Sequence, residues 1–274
     1  MRINNNVAAL NAYRNQAATN VSLGKSLEKL SSGYRINRAA DDAAGLVISQ
    51  KLRAQLGGVR TAVRNVQDGI SVVQTAEGAL NEVHSMLTRM RELAVQAANT
   101  GSNDADAVAA AQAEVDSLLD EIDHISDKTT FGDVALLDGT YNKDFQVSQN
   151  SGDTVNLTIA NMDTTTLAIN TVKTGGAADL ATSASGAITA IDTAINTIST
   201  KRGDLGALQN RFESMVNNLQ VGMENLTASE SRIRDADMAL EMVSFTKSQI
   251  LVQAGTAMIA QANSVPQSVL KLLQ

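Results

Sequence analysis

Between residues 46 and 99 the apolar side chains fall at alternating intervals of four and three: Leu52, Leu56, Val59, Val63, Val66, Ile70 and Val73. After one shortened step the series resumes through Ala76, Leu80, Val83, Leu87, Met90 and Ala94. That alternation keeps a narrow stripe on one side of an α-helix, as in helices that pack against each other along their length. A continuous helix from Asp41 to Asn99 would be ~90 Å long at ~1.5 Å per residue. No compact domain houses such an element, so it needs partners along its whole length. Val63 and Ile70 are read as seam positions, and exchanging both for aspartate should unfold the rod.

Composition agrees with narrow helical seams. Hydrophobic residues make up 43% of the 274 residues, yet aromatics only 3%, with no Trp. Much of the apolar content is Ala, which suits close helix–helix contact better than a thick globular centre. The single proline, Pro266, lies near the C-terminus, so little else in the sequence forces a helix to stop. The absence of Cys removes disulfides, thiolate metal sites and thiol nucleophiles. "MRINNNVAALNAYRNQ" has no apolar h-region and no 18-residue apolar run occurs, so no Sec-type signal and no membrane insertion are expected. The net charge of −7 is uneven: residues 1–40 carry six basic side chains and one acidic. The acidic body argues against nucleic acid, which selects a basic footprint.

"NTGSND" (99–104) interrupts the first helix, and a second pattern runs from Ala105 to Ser126 through Val108, Ala111, Val115, Leu118, Leu119, Ile122 and Ile125. Asn103 or Asp104 can cap its start. The short linker predicts an antiparallel helical hairpin. "FQVSQ" and "TVNLTI", joined by "NSGD", predict a β-hairpin near 145–160. The stretch 163–186 has no strong pattern. Helical spacing returns through Ile188, Ile191, Ile195, Ile198, Leu205, Leu208, Phe212, Met215, Leu219 and Leu226. A last helix carries Leu240, Val243, Phe245, Ile250, Leu251, Met258 and Ile259, apolar on more than one side, and "SVPQSVLKLLQ" closes the chain with a further amphipathic turn or two.

Few residues suggest chemistry. His84 and His124 are the only histidines, and neither has a second ligand at metal spacing. "SNDADAV" lacks the glycine and the distant glutamate of a calcium loop, and "LDEID" reads as a solvated helix face. No nucleophile elbow, phosphate loop or dinucleotide fingerprint is present. The sequence therefore predicts no enzyme, no cofactor and no metal. In "LSSGYRINRAADDAAGLVISQ", Ser31–Gly33 read as the end of one helix, and Asp41 and Asp42 as the start of the next. Ala39, Ala40, Ala43, Ala44 and Gly45 leave room for another helix or chain to approach closely.

"MRINNNVAALNA", "LEKLSSGYRINRAADDAAGLVISQKLR", "NVQDGISVVQTAEGALNEVHSMLTRMRELAVQAAN" and "FGDVALLDGTY" resemble the N-terminal half of bacterial flagellin. "LGALQNRFESMVNNL", "ENLTASESRIRDADMALEM" and "AMIAQANSVPQSVLKLLQ" resemble its C-terminal half. The likeness covers residues 1–148 and 190–274, in the right order, with small departures such as Tyr34 where Leu is usual. It implies a mainly α fold: a long coiled-coil rod built from the N- and C-terminal halves, with a small β-hairpin region at its far end. About forty residues, 149–189, separate the halves, so the chain resembles a minimal flagellin without inserted outer domains. The terminal helices, 1–40 and 235–274, would form the inner core of a filament, and 41–234 the helical rod.

The resemblance implies a structural subunit that self-assembles into the flagellar filament for motility, outside the cell. Export would run unfolded through the flagellar type III channel without a cleaved signal. Expected partners are other copies of the chain, an export chaperone on the C-terminal helix, and hook-associated and cap proteins. Contacts between subunits are assigned to Arg35, Asn37, Arg38, Asp41, Asp42, Arg232, Arg234 and Asp235. Arg89 and Leu93, with Glu114 on the neighbouring helix, match the part of flagellins that the animal innate flagellin receptor recognises. The rival readings are a hook–filament junction protein, or another type III-exported helical protein.

Overall fold

The computed structural model describes residues 6–99, 101, 104–176 and 178–272, with side chains through residue 264. The fold is mainly α. Its elements are α1 (Val7–Ser32), α2 (Ala43–Ala97), α3 (Ala105–Lys128), β1 (Thr130–Phe131), β2 (Val134–Ala135), β3 (Asn142–Gln146), β4 (Thr154–Thr158), α4 (Leu180–Arg234) and α5 (Met238–Leu272). Two compact units divide the chain, one of residues 1–56 with 224–274 and one of residues 57–223. Asn103, one of the two expected caps, and the side chains of the closing segment from Val265 lie outside the described residues.

In the second unit the seam differs from its sequence reading. From Val59 on, the buried seam of α2 runs through Val59, Ala62, Val66, Gly69, Val73, Ala76, Leu80, Val83, Leu87, Met90, Ala94 and Ala97, with Val72 and Leu93 buried beside it. The alternation of three and four is therefore unbroken, and the apparent shortened step vanishes. Val63 and Ile70 sit half-buried on its flank. The seam passes instead through Ala62 and Gly69, because small residues at these turns let neighbouring groups come close. A Cβ on Gly69 would stand 3.2 Å from the Phe212 ring and 3.3 Å from Phe145. Those two rings meet edge to face, 5.9 Å apart, an arrangement that adds attraction beyond buried area.

The same rule governs α4, whose buried positions are Leu180, Ala187, Ile191, Ala194, Ile198, Leu205 and Phe212. Ile188, Ile195, Leu208, Met215 and Leu219 pack at the side of that core. Ion pairs mark the antiparallel order: Arg91 to Asp192 at 2.6 Å and Arg202 to Glu77 at 3.7 Å across α2 and α4, and Arg89 to Glu114 at 2.7 Å across α2 and α3. Lying at the surface, each adds little stability and chiefly records register. Helix α3 starts at Asp104, whose carboxylate accepts the Ala107 N–H at 2.8 Å, and buries Val115, Leu119 and Ile122.

The segment between β4 and α4, patternless in sequence, buries Met162, Leu167, Ile169 and Val172 at irregular spacing and is held by side-chain bonds as well. The buried Gln112 amide donates to Asp116 and to the Val172 carbonyl, both at 2.8 Å, while its oxygen accepts the Leu180 N–H. Exchanging Gln112 for methionine strands a buried N–H and a buried carbonyl. We expect a loss of about 2 kcal/mol, read as a lower denaturation midpoint in urea at unchanged slope.

Burial by itself would raise the Asp116 carboxyl, but the Thr174 hydroxyl, the Gln112 amide and the Thr174 N–H hold it below the usual carboxylate range. Asp163 is lowered likewise, its burial outweighed by the hydroxyl and N–H of Thr166. Both folded values lie below the unfolded ones, so their stabilisation is present above the ordinary carboxylate value of 3.8. It is lost as the pH falls through the folded values. Melting temperature should drop on acidification below about pH 4. Asp116→Asn should flatten that dependence.

The predicted hairpin forms, with Asn142 opposite Thr158 and Gln146 opposite Thr154. Its first strand lies earlier than the expected 145–149. The Gln146 amide donates to the carbonyls of Ser148 and Asn150, which turns residues 147–153 into the connection. Val155 and Leu157 point into the core and Asn156 and Thr158 outward, the alternation the sequence displayed. The pair β1–β2, with Gly132 at φ 61° in its turn, was not anticipated. Two-residue strands are too short to show alternation.

Candidate assembly surface

In the first unit, α1 and α5 pair antiparallel. The Asn6 amide donates to the Ala262 carbonyl at 2.8 Å, the Gln16 amide to the Val252 carbonyl at 3.4 Å, and Lys29 faces Glu241 at 3.8 Å. The inward residues of α1 again alternate by three and four: Ala9, Ala12, Gln16, Thr19, Leu23 and Ser26. Those of α5 are Glu241, Phe245, Ser248, Val252, Gly255, Ile259 and Ala262. A groove of about 380 Å³ lined by Thr19, Ser22, Ser26, Ser244, Lys247, Ser248 and other residues runs beside this seam. Small and polar residues thus make up most of the inward set, with Leu23, Phe245, Val252 and Ile259 as its large apolar members.

Large apolar residues face outward. Val7, Leu10, Tyr13 and Val21 are exposed on α1, and Leu240, Val243, Ile250, Leu251 and Met258 on α5, with Val243 at 68% and Met258 at 62%. Of the residues expected on the apolar last helix, Phe245 and Ile259 turn inward and the others do not. An isolated globule seldom leaves so many large apolar side chains on one element. No helix among the described residues is long and apolar enough to cross a membrane.

The junction between α1 and α2 follows the sequence reading at Gly33 and Asp42 and departs from it at Asp41, whose carboxylate holds the preceding loop rather than the start of α2. Gly33, at φ 75°, closes α1 by donating its N–H to the Lys29 carbonyl at 2.8 Å, a left-handed end that favours glycine. Asp42 accepts the Gly45 N–H at 2.8 Å and starts α2. Asp41 accepts from the N–H groups of Arg38 at 2.9 Å and Asn37 at 3.2 Å, and these bonds hold its carboxyl below the usual range. A Cβ on Gly45 would meet the Asp42 carboxylate, and Ile36 Cδ1 at 2.8 Å.

Each residue assigned to contact between subunits has a partner inside the chain. Arg38 Nε pairs with Glu28 at 2.8 Å, and the Asn37 amide donates to Ser32 at 3.0 Å. The Arg35 N–H donates to the Arg234 carbonyl at 2.6 Å, and the Ala236 N–H to the Gly33 carbonyl at 2.9 Å, so Tyr34 and Asp235 form an isolated antiparallel bridge. Arg232 bonds Ser229 at 3.1 Å. Sequence reading missed Tyr34, Arg53 and Glu230, which gather around this bridge. Arg53 donates to the Tyr34 hydroxyl at 3.1 Å and to Glu230 at 2.9 Å.

In the second unit, Arg89 and Glu114 are paired and exposed. Leu93 is 3% exposed within the core, so its side chain offers no surface beside them.

Ends of a chain that meet mostly through small and polar residues, and present many large apolar ones to the outside, suit a subunit of a larger assembly. Residues 3–142 match the family description "Bacterial flagellin N-terminal helical region" and residues 188–273 "Bacterial flagellin C-terminal helical region". The chain is 48% identical to flagellin from Bacillus subtilis (strain 168) and 51% identical to flagellin from Halalkalibacterium halodurans, with 100% of both chains covered in each case. Among solved structures, Bacillus cereus flagellin matches at a TM-score of 0.50 and 40% identity, covering 57% of this chain and 88% of that one. The chain belongs to the bacterial flagellin family.

Proposed function

We propose that this flagellin is the structural subunit of a flagellar filament and polymerises through the outward apolar faces of α1 and α5. The observation that carries this reading is the inverted polarity of the terminal pair, with Gln16, Thr19 and Ser26 inward and Val243, Ile250 and Met258 outward. Burying such faces against other copies removes apolar area from water at roughly 25 cal/mol per Å². A hook–filament junction role is not favoured, since the full-length relatives are flagellins.

On the same reading residues 1–40 and 235–274 line the filament interior, and Arg35, Asn37, Arg38, Asp41, Asp42, Arg232, Arg234 and Asp235 form the polar part of the contact between copies. The filament lies outside the cell, reached by signal-less export with a chaperone on α5. Hook-associated and cap proteins then bound the polymer. An innate receptor of animals would contact Arg89 and Glu114, with Leu93 acting from the core behind them. Deleting residues 1–40 and 235–274 together tests the central claim by sedimentation and electron microscopy. The truncated chain should stay monomeric where the full chain forms filaments, and filaments of the truncated chain would refute the reading.

A further inference from the structure

Two guanidinium groups approach one ring in the first unit. Arg234 stands 4.3 Å from the centroid of Tyr34, and Arg53 stands 5.5 Å from it while also bonding its hydroxyl. Like charges avoid each other unless something between them attracts both. Here the negative face of the ring does so, and Glu230 neutralises Arg53 from the far side at 2.9 Å. The Nε of Arg234 is buried without a hydrogen-bond partner, so the ring is the contact this guanidinium is seen to make. Tyr34 thereby joins three segments distant in sequence: the loop after α1, the first turns of α2, and the last turn of α4. It is also the residue whose backbone bridges to Asp235.

The loop that Tyr34 begins carries Arg35, Asn37 and Arg38. The Asp41 cap fixes its far end, and the side chain of Ile36, 1% exposed, fixes its middle. Its near end is fixed by the bridge and by the Tyr34 ring. Resting on the filament reading above, we propose that Tyr34 is the positioning residue of this loop. Gripped by Arg53 and Arg234, its ring sets the angle at which the loop's basic side chains are offered to the next copy. The Tyr34 hydroxyl is secondary to the ring, because it bonds only one of the two cations.

The test compares full-length wild type, Tyr34→Phe, Tyr34→Ala, Arg234→Gln and the Tyr34→Ala/Arg234→Gln double variant. The readouts are critical concentration for polymerisation, helical rise and twist by electron microscopy, and helicity of the unpolymerised chain by circular dichroism. Tyr34→Phe should assemble within about twofold of wild type, keeping the ring contact. Tyr34→Ala should raise the critical concentration about tenfold and alter the twist at unchanged monomer helicity, and Arg234→Gln should do nearly the same. The double variant should be no worse than Tyr34→Ala alone, since both changes remove one contact. Wild-type assembly and twist in Tyr34→Ala overturn the proposal, as do losses that multiply in the double variant. A loss of monomer helicity in Tyr34→Ala, unrelieved in Tyr34→Phe, also overturns it. Failure of wild type to polymerise in the same assay would instead count against the filament reading.

Discussion

Leu80→Asp is expected to abolish the cooperative unfolding transition of residues 57–223. Leu80 is fully buried in the middle of the α2 seam. Removing a leucine from such a site costs about 2–5 kcal/mol through lost transfer energy and the cavity left behind. Placing a carboxylate there adds the cost of a buried, unpaired charge. Together these approach the whole stability of a typical domain, about 5–15 kcal/mol. Circular dichroism should show strongly reduced helicity at room temperature. The double exchange of Val63 and Ile70, which looks most damaging from sequence, should leave the chain folded with a lowered melting temperature, because half-buried side chains can turn a carboxylate to water. If the flank variant unfolds and Leu80→Asp does not, the seam assigned here is wrong.

A second large effect is expected at the outward face of α5. Val243 and Ile250 are exposed and touch no core, so aspartate at both should leave the monomer's helicity and melting unchanged. Surface exchanges of this kind usually alter stability by about 0.5 kcal/mol or less. Assembly should respond differently. Two apolar side chains that would be buried between copies become two charges that must be desolvated, and their effect repeats at every subunit added. No polymer should sediment at concentrations where wild type is fully polymerised. Normal assembly of the double variant would move the contact to another face.

Much of the fold was legible because long helices repeat one signal many times. The break after "LSSG", the start at Asp42, the α2–α3 hairpin and the β3–β4 hairpin each rest on residues within a few positions of each other. The seam was harder. Choosing Val63 and Ile70 over Ala62 and Gly69 follows bulk, whereas a helix seam is decided by what its neighbours can approach. On α5 the sequence reading of apolar residues on more than one side agrees with the structure, where Phe245 and Ile259 turn inward and Leu240, Val243, Ile250, Leu251 and Met258 are exposed. Nothing within residues 30–55 reveals that Tyr34 meets Arg234, since that contact depends on a segment two hundred residues further along the chain. The junction residues were therefore legible as a region, and their partners within the chain were not.

The Gln16 amide and the Gly255 notch that receives it separate recognition from cohesion. Polar bonds to backbone carbonyls fix which residue of α1 lies against which residue of α5, but they bury little apolar area and hold the pair weakly. On the filament reading, much of the cohesion would come from neighbouring copies, and order at the termini would then depend on concentration. The first unit should melt at a temperature that rises with the amount of protein present, while the second keeps a fixed one. One chain would then contain a segment whose folding is a collective property and another whose folding is its own.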